Sequence, residues 1–125
     1  MTSRHTDIVE GFVLVDGKKI HYQRAGRGRP LLLLHGLVGS ARNWRLNISF
    51  LASHATVYAV DHFNMGESER VPGLDASLAA TADRVAACMD ALGLAEADIA
   101  AHSHGGAVAM REEADRRSMH RVTGG

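Results

Sequence analysis

Leu31-Leu32-Leu33-Leu34-His35-Gly36-Leu37-Val38-Gly39-Ser40 is the stretch that decides the architecture. Four leucines run without polar alternation between Pro30 and the His35-Gly36 turn. A short, continuously apolar run of this kind suits a strand covered on both faces, as in a parallel sheet flanked by helices. After it Trp44, Ile48 and Leu51 recur at helical spacing, and Thr56-Val57-Tyr58-Ala59-Val60 reads as a second buried strand ending at Asp61. Leu78, Ala82, Val85, Met89 and Leu92 then mark one face of a helix. Asp75 or Ser77 can cap its start, and Gly93 sits where a left-handed C-terminal cap belongs. Asp98-Ile99-Ala100-Ala101 is a third short strand, running into His102-Ser103-His104-Gly105-Gly106. Upstream, Gly11 to Val15 and Ile20-His21-Tyr22 read as two strands joined by Asp16-Gly17, a strong hairpin signal. A hairpin followed by alternating strands and helices predicts an α/β fold with a mostly parallel sheet. Its functional residues belong at the carboxyl ends of the strands.

The chain has 125 residues, room for one modest domain. Hydrophobic residues make up 46% and charged residues 22%, the balance of a globular protein rather than a disordered one. Fourteen basic side chains cancel fourteen acidic ones, so the basic footprint of a nucleic-acid or anionic-membrane binder is absent. The single cysteine, Cys88, cannot form an internal disulfide. The longest apolar run is too short to span a bilayer, and Met1 to Asp7 is too polar for a signal peptide. A cytoplasmic protein is expected. Residues 1–110 carry the pattern, whereas 111–125 form a polar tail in which only Ala114, Met119 and Val122 are apolar and no further strand is evident.

Ala101-His102-Ser103-His104-Gly105 has the form of a nucleophile elbow, in which a serine occupies a strained strand-to-helix turn and its neighbours must be small. Ala101 stands where that pattern has its first glycine. Two further motifs accompany it in order. His35-Gly36 follows the leucine strand, and Asp61-His62-Phe63-Asn64-Met65-Gly66-Glu67-Ser68 follows the next. Together they resemble the α/β-hydrolase family over about residues 11–110, with a His-Gly oxyanion loop, an Asp-x-x-Gly-x-Gly-x-Ser loop and the elbow. Asn64 replaces the first glycine of the middle motif, and asparagine is the next-best residue for a left-handed turn.

The resemblance implies a serine hydrolase acting on a small-molecule acyl substrate, with no cofactor and no metal. Ser103 would be the nucleophile, and the backbone N–H groups of Leu37 and His104 would form the oxyanion hole. Removing one such donor costs about 2.7–4 kcal/mol in comparable sites. His35, Gly36, Ala101, Gly105 and Gly106 would support these loops. Family members acting on haloalkanes and epoxides use aspartate at the elbow, so a serine points to acyl chemistry. Asp61 would shape its loop rather than serve as the catalytic acid. His102 and His104 lack a third ligand for zinc, and Cys88 reads as a buried, inert thiol.

The family's acid and histidine follow the serine in chain order. After Ser103 come Glu112, Glu113, Asp115 and His120. A helix leaving the elbow would carry position 120 roughly 20 Å or more away at ~1.5 Å per residue. Besides an active hydrolase, the sequence therefore supports an inactive fragment or a half-domain that depends on a partner. Ile99-Ala100-Ala101 would then be an unpaired edge inviting self-association. A dinucleotide-binding domain is excluded, because Gly26-x-Gly28 precedes a strand rather than opening a helix.

Overall fold

A computed structural model describes residues 7–35 and 48–101, and the backbone of a short segment at 121–123. β1 (Val9–Val15) and β2 (Lys18–Gly26) form the hairpin. Its turn residues Asp16 and Gly17 have φ of 53° and 75°, the left-handed pair that matches the twist of the flanking strands. β3 (Pro30–Leu34), β4 (Thr56–Val60) and β5 (Asp98–Ala101) are the three strands anticipated from the apolar runs. Among the described residues the helices are α1 (Ile48–Ala52) and α2 (Leu78–Ala91).

The strand order is β1-β2-β4-β3-β5-β6, where β6 is Arg121–Thr123. β2 pairs antiparallel with β4, whereas β3 is parallel to both β4 and β5. The parallel pairing of β3 with β4 requires a crossover connection between them rather than a hairpin. The sheet is thus one strand wider than expected. β6 lies parallel to β5, pairing Asp98 with Arg121 and Ala100 with Thr123, so β5 is not the sheet edge. A three-residue run within a polar tail carries no readable period, and its pairing satisfies backbone groups along the flank of β5.

The leucine run is buried from Leu32 onward, with Leu31 half-buried at its start. Leu32, Leu33 and Leu34 are each 0% exposed because the strand is covered on both sides. Leu32 and Leu34 join Val60, Ile99 and the α2 residues Ala82, Val85 and Met89. Leu33 turns the other way, to Val57, Ala59 and the α1 residues Ile48 and Ala52. This alternation places one hydrophobic layer on each face of the central strands.

Candidate active site

Registers within the sheet set the site. Leu34 is the partner of Val60 on one side and of Ala101 on the other. The strands β3, β4 and β5 therefore end at one level, β3 leading into His35 and β4 into Asp61.

His35 is 0% exposed, and its Nε2 accepts the backbone N–H of His62 at 3.0 Å. That nitrogen consequently holds no proton in this bond. The two imidazoles meet edge to face, 4.4 Å between centroids. His35, directly after β3, is in this way tied to the loop after β4.

The loop after β4 is organised around Asp61. Its Oδ2 accepts the backbone N–H of Glu67 at 2.8 Å and lies 2.8 Å from Nδ1 of His21 on β2. Its carbonyl accepts the Ser68 hydroxyl at 2.7 Å, and the same hydroxyl accepts the backbone N–H of His21 at 2.8 Å. Asn64 has φ 68°, the left-handed conformation expected of it, and its Oδ1 accepts the Val71 N–H. Gly66 has φ 53°, and a Cβ there would stand 2.3–2.6 Å from the Asp61 carboxylate. Glycine is required at that position on both counts. Asp61 accordingly shapes its loop.

Sequence reasoning missed two members of this cluster, Glu10 and His21. Nε2 of His21 lies 2.7 Å from Oε1 of Glu10, while Nδ1 faces Asp61. The only sequence signal was a histidine within a strand, beside buried Ile20.

Ser103, His104, Gly105, Gly106, Gly36 and Leu37 lie outside the described residues, as do His102, Trp44, Glu112, Glu113, Asp115 and His120. Ala101 is the last residue of β5. Cys88 is buried in the α2 layer, and burial pushes its thiol up to about 12, which leaves it protonated and unreactive. It borders a cavity of about 70 Å³ between the sheet and α2, lined also by Ile20, Leu32, Phe63 and Thr81. Among the described residues no three His, Cys, Asp or Glu side chains are grouped to hold a metal ion, and no helix is long and apolar enough to cross a membrane.

The strand order and the level strand ends describe the fold, and sequence similarity identifies its family. A family model for the alpha/beta hydrolase fold matches residues 29–111, and the chain belongs to that family. It is similar to a soluble epoxide hydrolase of Corynebacterium sp. (strain C12), 36% identical over 115 residues, covering 91% of this chain and 40% of the relative. A 2-hydroxymuconate semialdehyde hydrolase of Pseudomonas sp. (strain CF600) is 31% identical, over 78% of this chain and 36% of its own length. Among solved structures, an epoxide hydrolase determined without ligand superimposes with a TM-score of 0.88 at 33% identity, covering 94% of this chain and 42% of that one. The chain thus spans 40% or less of the length of these curated relatives and 42% of that solved structure.

Proposed function

We propose that this chain carries the nucleophile and the oxyanion hole of a serine hydrolase acting on carboxylic ester or similar acyl bonds. The observation that carries the reading is the common level of the β3 and β5 ends, where Leu34 pairs with Ala101. From neighbouring strand ends, three residues of chain lead to Leu37 and two to Ser103. A serine hydroxyl and an oxyanion-binding N–H must lie about 3 Å from one reacting carbonyl. Adjacent parallel strands meet that requirement more readily than distant loops. Within a family whose relatives include an epoxide hydrolase, serine rather than aspartate at position 103 supports acyl transfer over epoxide opening. The substrate is a small acyl compound.

A second reading is favoured by coverage. Because the chain spans less than half of these relatives, it acts as a portion of a family domain and needs the acid and histidine of a complementing segment. A serine without a general base stays protonated and is a weak nucleophile.

Both readings are tested with a fluorophosphonate probe on the purified chain and its Ser103→Ala variant. We expect negligible Ser103-dependent labelling of the 125-residue chain alone. Labelling and ester turnover are expected once a family segment bearing the acid and histidine is supplied, and Ser103→Ala should abolish both. Labelling that survives Ser103→Ala in the complemented protein would overturn the nucleophile assignment. Ser103-dependent labelling of the isolated chain would overturn the second reading.

A further inference from the structure

Glu10, His21 and Asp61 make a continuous line of side chains from β1, across β2, to the end of β4. His21 is 4% exposed and Asp61 1%, whereas the Glu10 side chain is 60% exposed. The His21 ring is held at both nitrogens, 2.8 Å from Asp61 and 2.7 Å from Glu10, and Phe12 packs on it with 5.5 Å between centroids. In either tautomer one of these contacts is an N–H to carboxylate hydrogen bond; both are when the ring carries two protons. Asp61 has the greater need of the donor, since it is buried while water reaches Glu10. The His21 main chain grips the same loop at both ends. Its N–H is accepted by Ser68 Oγ, and its carbonyl accepts the Asp61 N–H at 2.9 Å.

We infer that His21 is a positioning residue for the oxyanion loop. Its imidazole fixes the Asp61 carboxylate, and that carboxylate fixes the turn through the Glu67 N–H. The turn sets the peptide of His62, whose N–H holds His35 Nε2. His35 leads directly into Gly36 and Leu37. The last link, to an oxyanion donor, rests on the hydrolase reading. The links from His21 to His35 can be measured with no reaction at all.

The experiment exploits the shape of two amides. The side-chain nitrogen of asparagine stands where Nδ1 of histidine stands, and that of glutamine reaches toward Nε2. His21→Asn therefore keeps a donor for Asp61 and gives up Glu10, and His21→Gln does the reverse. Both variants and Glu10→Gln are prepared as isotope-labelled full chain. For each, the His62 amide shift, the His35 Nε2 shift and the melting temperature are recorded. His21→Gln is expected to move both shifts as the His62–His35 bond weakens. His21→Asn and Glu10→Gln are expected to leave both near wild type, even where the melting temperature falls.

Equal displacement in the two His21 variants, or no displacement in either despite lowered melting, would make His21 a packing residue and overturn the inference. A displacement in Glu10→Gln as large as in His21→Gln would overturn the route through Asp61. If His21→Gln does not fold, His21→Asn decides: retained shifts support the route, and displaced ones overturn it. In the complemented protein His21→Gln should lower kcat with KM little changed. Absence of Ser103 labelling there, with the contrast between the His21 variants intact, would remove the hydrolase reading and leave the positioning route standing.

Discussion

A single methyl group at position 66 would strike the carboxylate that organises the loop after β4. Gly66 combines a left-handed φ of 53° with a would-be Cβ contact of 2.3 Å to Asp61 Oδ2. The backbone conformation alone costs a non-glycine residue roughly 1–2 kcal/mol, and the clash adds to it. Gly66→Ala is expected to destabilise the protein by more than about 2 kcal/mol in urea denaturation. An unchanged midpoint would show that Asp61 can withdraw without penalty. At this scale the sequence was legible wherever chemistry is local. Asn64 was expected in a left-handed turn because it stands where the resembled motif has a glycine, and it adopts φ 68°. Cys88 was read as inert from its place on a helix face, and burial bears this out. The Glu10–His21–Asp61 line was not legible, because its members are 11 and 40 positions apart and meet only when strand register is fixed.

The same division holds for whole elements. α2 was delimited by its caps as well as by its periodicity, and both caps have the expected form. Ser77 accepts the Ala80 N–H at 3.2 Å. At the other end Gly93 has φ 77°, with Leu94 N–H donating to Met89 and Gly93 N–H to Asp90, the paired bonds of a Schellman ending. Ser77→Ala is expected to cost about 1 kcal/mol. Asp75, the other capping candidate, instead accepts the Ser77 N–H at 2.9 Å. That bond, reinforced by the Ser77 side chain, holds its carboxyl below the ordinary value of 3.8. A carboxylate depressed in the folded state stabilises it above the unfolded value, and the effect is lost as pH falls through the folded value. The melting temperature of wild type should therefore exceed that of Asp75→Asn at neutral pH by a small margin that closes below pH 3.8. A margin that persisted in acid would show that the ionised carboxylate is not the active species. Leu78 marks where periodicity overreached, since the first helical turn leaves it 36% exposed.

Across the whole molecule the expectation of self-association has to be relocated. β5 is covered by β6, which leaves β1 at one end of the sheet with its outer backbone edge unpaired among the described residues. Ile8, Val9, Phe12 and Leu14 are exposed along it, Leu14 by 61%. An apolar edge strand without a covering element is a template for pairing with another chain. The purified protein is expected to elute at larger apparent size as its concentration rises, and Leu14→Lys should shift it toward monomer. Concentration-independent elution of the wild type as a monomer would contradict this.

By itself the sequence determined the class of fold and the order of the hairpin, β3, β4 and β5, and its motifs carried the resemblance to the family. These follow from periodicity, turn chemistry and residue types read over a few neighbouring positions. Only the tertiary structure decided that a tail segment pairs beside β5 and that His21 reaches Asp61. It also decided that His62 holds His35. Each of these is a meeting of distant segments, and the free energy that selects it lies in register and burial rather than in any one stretch of chain.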